Sequence, residues 1–330
     1  MRGKKNEKMR GKKDIKMMFK KASMLLFFVV LALWMIPGCS TAPPQPEETG
    51  ETAIGADDHE NRILGEMGDT GVVRAGEALI EGVGTFTFRP EEVQTLRPDI
   101  FQDGHISLFD VLVHLHEKGH FQMDYYFDEE MNTYVLNTFN EEEGWWYNAY
   151  YDGGWPEKSV FRMDHYPYKD KMFLSFVPVS QDYLDSIYKT YRDEINRKRG
   201  NEGKLIVPEV IIEGRKETLN FENVEVRPHG LRNDVLQPEM ITAIDVILTL
   251  GEAGEISYDL QWYESIGTAE VVKSYWVNRI NEDESYDRCG FVYEAGAETF
   301  RFFRGNHNHI PSDVRVINSP EYVKYFWICI

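Results

Sequence analysis

The sequence predicts an α+β protein in which one structural unit occurs twice. Aligned without gaps, residues 96–119 and 231–254 are identical at 10 of 24 positions, where chance would give about one or two. Each copy shows the apolar period of a short helix and is followed by aromatic and β-branched runs typical of strands. A helix of about three turns cannot cover its own apolar sides, so we expect a sheet packed on each helix.

Two equivalent helices are predicted at residues 107–118 and 242–250. Ser107 and Thr242 are favourable N-cap residues, and an acid follows three positions later in both copies, at Asp110 and Asp245. This spacing is typical of a capping box, which satisfies two free backbone donors at the start of a helix. A glycine after the last turn supplies the left-handed conformation that ends many helices. These glycines are Gly119 and Gly254.

The two halves are predicted to be domains at residues 76–179 and 204–330. The first carries a strand or hairpin at 78–88 and then the strand segments HFQMDYYF, TYVLNTF, GWWYNAYY and KMFLSFVPV. The second carries the strand segments LIVPEVII, LNFENVEV, ISYDLQWYES, AEVVKSYWVNRI, CGFVYEA, FRFF, VRVI and YVKYFWICI. One helix packed on a mixed sheet is an arrangement of the β-grasp kind, so we expect two tandem β-grasp-like domains.

A connector helix is predicted within residues 180–203. Acids lie early in this segment, basic residues lie late and a glycine follows, as the helix dipole favours. One helical stripe collects the apolar side chains Tyr183, Leu184, Ile187, Tyr188, Tyr191 and Ile195. We expect this stripe to dock between the two domains or on one of them, and binding of a partner protein is the alternative.

The first half resembles a known family at four of these segments. The capped helix ISLFDVLVHL, the strand YVLNTF, the GWWY strand at residues 144–147 and the closing strand MFLSFV together resemble the DUF4430, or transcobalamin C-terminal-like, domain. The second half keeps less of this pattern. The resemblance implies a small extracytoplasmic binding or structural module, which in transcobalamin itself closes over a corrinoid.

The N-terminal segment predicts export and lipid anchoring. A basic stretch precedes an apolar run at residues 24–36, whose 13 residues suit a signal peptide and are too few to span a bilayer comfortably. The run ends in IPGCS, which resembles the lipobox of bacterial lipoproteins, where the cysteine is acylated and becomes the first mature residue. We therefore expect a signal peptide at 1–38 and a lipid on Cys39 that holds the protein on the extracytoplasmic side of a bacterial cell membrane. An uncleaved membrane anchor is the alternative.

The mature surface is predicted to be strongly acidic. Residues 39–75 are rich in Pro, Gly, Thr and acids and largely lack an apolar period, which predicts a stalk. The formal net charge is −19, and residues 1–38 hold ten Lys/Arg and two Asp/Glu, so the mature chain carries 26 minus 53, or −27. Such a surface repels phosphate backbones, so we expect no nucleic-acid partner.

An aromatic cluster is the candidate ligand platform. Trp145, Trp146 and Tyr147 alternate along one predicted strand, and Trp155 follows beside two glycines. One face of the strand belongs to the core, whereas the other face could stack against a sugar or another flat ligand. Packing of these rings in the core is the alternative.

The cysteines predict one disulfide. With Cys39 lipidated, Cys289 and Cys329 remain as an even pair in an exported chain. Both lie on predicted strands of the second half, so we expect them to be bonded. Two buried free thiols are the alternative.

No sequence pattern points to a reaction. The segment HLHEKGH places His114, His116 and His120 close together, but helical geometry separates the first two and the helix ends before the third, so we expect surface histidines. The acid runs lack the spacing of a calcium loop, and Asp110 and Asp245 serve as caps rather than as a glycosidase pair. The sequence contains no GxSxG, P-loop, GxGxxG or HExxH motif. We therefore expect no catalytic residue, metal or cofactor.

Together these patterns predict a lipid-anchored binding or interaction protein with a small molecule, a glycan or a protein as its unknown ligand. The alternative is a cell-envelope enzyme acting on carbohydrate or peptide. A convergent cleft of carboxylates or histidines with a nucleophile would favour the enzyme. An aromatic surface patch without such groups would favour binding.

Overall fold

The computed structural model describes residues 76–80, 83–151, 155–157, 161–169, 173–265, 272–297, 308 and 310–329. The predicted signal peptide, Cys39 and the predicted stalk lie outside the described residues. Within the described ranges the fold is α+β, with three α-helices and with strands arranged in several small sheets. None of the helices found there is long and apolar enough to cross a membrane.

The elements of the first half are β1 (Gly76–Ile80), β2 (Gly84–Phe88), α1 (Leu108–Glu117), β3 (Met123–Asp128), β4 (Thr133–Phe139), β5 (Trp145–Tyr151), β6 (Trp155–Glu157) and β7 (Phe173–Pro178). The connector helix α2 (Gln181–Gly200) follows. The elements of the second half are β8 (Leu205–Glu213), β9 (Thr218–Val226), α3 (Asp245–Glu252), β10 (Tyr258–Tyr263), β11 (Ser274–Ile280), β12 (Asp283–Glu284), β13 (Cys289–Gly296) and β14 (Tyr322–Cys329).

Both halves assemble their main sheet in the same strand order. The order is β2-β1-β7-β5-β6 in the first half and β9-β8-β14-β13 in the second. In the first half β1 pairs in parallel with β7, the last strand, and β7 pairs antiparallel with β5. In the second half β8 pairs in parallel with β14, the last strand, and β14 pairs antiparallel with β13. A separate bulged hairpin follows each helix, β3–β4 after α1 and β10–β11 after α3. The duplication therefore extends from the sequence to the strand connectivity.

The predicted start of α1 is confirmed by its cap. The Ser107 hydroxyl accepts a hydrogen bond from the Asp110 N–H, and the Asp110 carboxylate accepts one from the Ser107 N–H at 2.6 Å, which completes a capping box. Both helices stop as predicted, since Gly119 and Gly254 have φ of 80° and 76°, a left-handed conformation that glycine adopts without a steric penalty.

The second helix begins three residues later than predicted. The backbone N–H groups of Ala243 and Ile244 donate to carbonyls of residues 315 and 312 at 2.9 and 3.0 Å. The Thr242 hydroxyl donates to the Asp245 carboxylate at 2.8 Å and accepts no capping bond. The neighbouring loop thus binds the donors of the first turn, and α3 starts only at Asp245.

One predicted strand of the second half is a turn. In the segment VRVI, at residues 314–317, the N–H groups of Val314 and Arg315 both donate to the Pro311 carbonyl at 3.2 Å. Only Val316 forms a bridge, to Thr242. The β-branched composition was therefore misleading at this point, because the loop packs on the start of α3. The predicted FRFF strand lies outside the described residues.

The connector helix α2 docks on the first half. Its apolar stripe enters the same apolar cluster as α1 through Leu184, Ile187 and Tyr191. The Ser180 hydroxyl accepts a hydrogen bond from the Tyr183 N–H at 3.3 Å and caps the helix as predicted. At the other end of the helix the Arg197 guanidinium donates a hydrogen bond to the Ser319 carbonyl of the second half. The helix therefore joins the two halves while packing mainly on one.

The two apolar clusters do not follow the expected domain boundary. One cluster surrounds α3. The other surrounds α1 and also includes residues of the second half, namely Val235, Leu236, Val272, Ile310, Val314 and Val316. All described residues accordingly belong to one compact unit.

Equivalent loops of the two halves pair with each other across approximate two-fold symmetry. Phe101 and Leu236 hold the same place in the two repeat copies and form an antiparallel bridge. The Gln102 N–H donates to the Val235 carbonyl at 2.9 Å, and the equivalent bond from Gln237 measures 2.8 Å. The side-chain amides of the two glutamines also bond across this contact. Gln102 donates to the Leu236 carbonyl at 3.2 Å, and Gln237 donates to the Phe101 carbonyl at 3.0 Å. The halves therefore meet through matching surfaces.

Candidate functional site

The predicted aromatic platform is part of the core. Trp145, Trp146 and Tyr147 are 5%, 8% and 3% exposed, and the Tyr147 hydroxyl donates to the Phe161 carbonyl at 2.7 Å. These three rings therefore pack internally and do not offer a stacking surface, because α2 and the neighbouring loops cover the face that was expected to be free. The side chain of Trp155 lies outside the described residues.

The second half contains the expected cysteine pair. Cys289 on β13 and Cys329 on β14 lie directly opposite each other and are joined by a disulfide. The bond closes the strand pair at the end of the sheet. Cys39, the expected lipidation site, is not among the described residues.

The clustered histidines do not converge on a metal. His114 is 9% exposed, so the prediction of a surface position is wrong for it, and burial lowers its pKa. His116 lies 3.1 Å from the Phe121 carbonyl through Nδ1, and the His120 ring packs on Phe86. Among the residues that the structure describes, no group of three potential metal ligands comes together.

A buried arginine network lies between the loop that precedes α1 and the β3–β4 hairpin. The Arg97 guanidinium donates two hydrogen bonds to Asp99, at 2.9 and 2.7 Å, and a third to Asp164. The side chains of Arg97 and Asp164 are only 3% and 0% exposed. Asp164 also accepts bonds from the Thr133 hydroxyl and from the Tyr134 N–H. We call these residues the first arginine network.

The second half repeats the bonds that this arginine makes to its two carboxylates. Arg232 donates to Asp234 at 2.9 and 3.0 Å and to Asp313 at 2.8 Å. Asp313 accepts bonds from the Ser274 hydroxyl and from the Tyr275 N–H. We call these residues the second arginine network. In both, a buried guanidinium bridges an exposed and a buried carboxylate, which is the geometry that a charge needs in a dry interior.

Each network also fixes the turn of its hairpin. Arg97 donates to the Asn132 carbonyl at 3.4 Å, and Arg232 donates to the Lys273 carbonyl at 3.1 Å. Asn132 and Lys273 have φ of 51° and 45°. This left-handed conformation is unfavourable for a lysine, so the arginines hold strained turns in place and thereby orient the strands.

The exposed carboxylates of both networks have lowered pKa values. Burial by itself raises the pKa of Asp99, but the hydrogen bonds and the charge of Arg97 outweigh it and lower the value. The pKa of Asp234 is lowered chiefly by its hydrogen bonds from Arg232. Both outer carboxylates are therefore ionised at neutral pH, whereas burial raises the pKa of the inner carboxyl group of Asp164.

An exposed aromatic ring covers each arginine. The guanidinium carbon of Arg97 lies 5.5 Å from the ring centroid of Phe127, and that of Arg232 lies 5.3 Å from Trp262. Phe127 and Trp262 are 40% and 38% exposed. Each ring meets a tyrosine of the partner strand edge-on, Tyr134 at 5.1 Å and Tyr275 at 4.9 Å. We call these two ring pairs the aromatic hairpin faces.

The aromatic hairpin faces were missed although the sequence carried a signal for them. Phe127 and Trp262 are separated by 135 residues, the same offset that aligns the repeat. The arginines and the acids two residues after them are identical in both copies, yet nothing in their spacing shows that the arginines are buried. The densest tryptophan cluster was the more obvious candidate, and the pattern of one strand does not show that its rings are buried.

Acid should destabilise the fold through a buried histidine, His165. Burial, followed by the positive charges of Arg97 and Arg162, holds the pKa of this imidazole well below its usual value. Lys198 adds a further repulsive charge, and Asp164 lies 3.9 Å away. The unfolded chain takes up a proton below a pH of about 6.5, whereas folded His165 does not. The stability that neutral His165 allows is therefore fully present above that pH. At lower pH the free energy of unfolding decreases by up to about 1.4 kcal/mol per pH unit.

This pH dependence is measurable by urea unfolding between pH about 7.5 and 5. In the variant His165→Gln the loss of stability over this range should be smaller by the contribution of one proton. Because His114 also has a lowered pKa, part of the slope should persist. An unchanged slope in the variant would show that His165 is protonated in the fold.

Comparison of the chain with protein families, with curated proteins and with solved structures found no match. A functional assignment must therefore start from the site itself. The geometry shows two equivalent aromatic surfaces, each held by a buried charge network.

Proposed function

We propose that this chain is an extracytoplasmic, lipid-anchored binding protein, built from two tandem β-grasp-like modules, that binds a ligand through its aromatic hairpin faces. The anchor is supported by the apolar run at residues 24–36 and by the cysteine that follows it. The β-grasp-like arrangement is supported by the shared strand order and by the single helix of each half. The DUF4430 resemblance stays a prediction.

Exposed aromatic rings at equivalent positions are the observation that carries this proposal. Large aromatic side chains are usually covered, and rigid exposed ones are suited to stacking on a flat ligand. Phe127 and Trp262 occupy the same place in the two halves and are both exposed. Each is fixed from below by an arginine and from the side by a tyrosine. Little conformational freedom would thus be lost on binding.

The surroundings of the second aromatic hairpin face favour a neutral glycan. The Trp262 indole N–H donates to Glu264 at 2.9 Å, which places a carboxylate beside the exposed ring. A sugar ring stacks on an indole and donates its hydroxyls to carboxylates and amides. Anionic glycans would be repelled by the acidic surface. Two equivalent faces also give one molecule two sites for the same kind of sugar unit.

The test is a screen of neutral and anionic glycans against the protein, followed by calorimetry. The double variant Phe127→Ala/Trp262→Ala should lose at least about tenfold in affinity for any glycan found, because stacking contributes about 1–2 kcal/mol. The matched variant Phe127→Tyr/Trp262→Phe keeps the rings and should bind. In cells, Cys39→Ser should release the protein from the membrane fraction. Equal binding by the double alanine variant, or retention of Cys39→Ser, would contradict the proposal.

A further inference from the structure

A second cluster of aromatic and charged side chains lies in the second half, apart from both arginine networks. It consists of Arg215, in the turn between β8 and β9, together with Asp283, Tyr286 and Trp327. We call it the Arg215 cluster. Tyr286 is 47% exposed, and the Arg215 side chain is 46% exposed. The cluster is therefore open to solvent at the end of the four-stranded sheet.

The Arg215 guanidinium packs against two neighbouring aromatic rings. Its carbon is 5.3 Å from the ring centroid of Tyr286 and 5.6 Å from that of Trp327, and these two rings are 6.0 Å apart. Its Nη1 donates a hydrogen bond to the Tyr286 hydroxyl at 3.2 Å. Two π faces around one cation form an environment that selects a guanidinium or an ammonium group.

A buried carboxylate faces this cation without a hydrogen bond to it. Asp283 is 3% exposed, and its Oδ2 accepts a bond from the Lys216 N–H at 3.0 Å. Its Oδ1 accepts no hydrogen bond from the described residues and lies 3.8 Å from the Arg215 Nε. A buried carboxylate oxygen left without a hydrogen bond is unfavourable, so Arg215 satisfies the cluster only in part.

The position of Arg215 explains the poor fit. The turn that carries it is pressed against Asp283, since a side chain on Gly214 would place its Cβ 2.4 Å from the carboxylate. Because the backbone of the turn lies so close to Asp283, the Arg215 side chain folds back over the rings of Tyr286 and Trp327. Only its Nε then comes near the Asp283 Oδ1. The Trp327 indole N–H also has no hydrogen-bond partner among the described residues. The cluster thus offers one unused acceptor and one unused donor.

We propose that Tyr286, Trp327 and Asp283 form a binding site for an arginine side chain of a partner protein, and that Arg215 occupies this site until the partner displaces it. An incoming guanidinium that approaches from solvent donates directly to Asp283 while it packs against the two rings. The formal net charge of −19 attracts a basic segment from a distance.

A guanidinium fits this site better than an ammonium. It is planar and can pack flat on an aromatic ring, and its fork of N–H groups can bond the carboxylate at the same time. A lysine would make one of these interactions at a time. A partner segment with arginine should therefore bind more tightly than the same segment with lysine.

Calorimetry of the full chain with the peptide acetyl-Gly-Arg-Gly-amide tests the site. Removing the internal competitor with Arg215→Ala should tighten binding about tenfold or more, because the peptide guanidinium then meets the rings and the carboxylate without competition. Adding Tyr286→Leu, a substitution at an exposed position, should abolish that gain. Asp283→Asn should do the same, and its melting temperature shows whether the turn is intact.

The peptide with citrulline in place of arginine is the matched control, because citrulline keeps the shape and loses the charge. It should not bind the Arg215→Ala protein measurably. Equal binding of both peptides, or no gain from Arg215→Ala, would overturn the proposal. The site shares no residue with the aromatic hairpin faces, so its failure and the failure of glycan binding are separate results.

Discussion

Replacing Asp313 by alanine should lower the free energy of unfolding by about 3–5 kcal/mol. The substitution leaves Arg232 buried, with its side chain 5% exposed, and removes its inner carboxylate. It also takes the acceptor from the Ser274 hydroxyl and from the Tyr275 N–H. Urea unfolding at pH about 7 measures the loss. The expected cause is an uncompensated buried charge rather than a cavity.

Two further substitutions separate this cause from a general sensitivity of the region. Asp164→Ala removes the equivalent carboxylate of the first arginine network and should cost a similar amount. Asp234→Ala removes the outer carboxylate, whose side chain is 61% exposed, and should cost about 1 kcal/mol or less. If the Asp313 and Asp234 variants were equally stable, the buried networks would not hold the hairpins as described.

Loss of the disulfide should cost about 2–4 kcal/mol. Cys289 and Cys329 are 40 residues apart in sequence, so the bond closes a long loop and removes many conformations from the unfolded chain. The double variant Cys289→Ala/Cys329→Ala should melt well below the unchanged protein. The β13–β14 ladder should still form, because its backbone pairing does not depend on the cysteines.

A reductant provides the control for this prediction. Adding it should lower the melting temperature of the unchanged protein to that of the double variant, and it should leave the double variant unaffected. An unchanged protein that melts at the same temperature with and without reductant would contradict the stabilising role.

The local signals in the sequence predicted the helices and most strands. The capping box at Ser107 and the glycines at 119 and 254 fixed the helix ends because these are interactions within a few residues. The late start of α3 depends on donors taken up by residues 312 and 315, which are far away in sequence. The VRVI segment became a turn for a similar reason, since the loop there delivers Asp313 to Arg232.

The candidate site was less predictable than the fold. Whether Trp146 is exposed depends on the placement of α2, as its ring lies 6.5 Å from that of Tyr188. Whether Trp262 is exposed depends on how the β10–β11 hairpin sits on the second arginine network. Both are tertiary facts that a linear pattern does not contain. The repeat offset alone could have marked Phe127 and Trp262 as a pair.

The bridge between Phe101 and Leu236 has a consequence for how this molecule holds together. Its reciprocal bonds are those of a symmetric homodimer, in which one surface meets its own copy. Here both copies belong to a single polypeptide, so their association cannot be lost by dilution. Because the two copies do not have to be identical, as they are in a homodimer, each can acquire features of its own. The disulfide of the second half is one such feature.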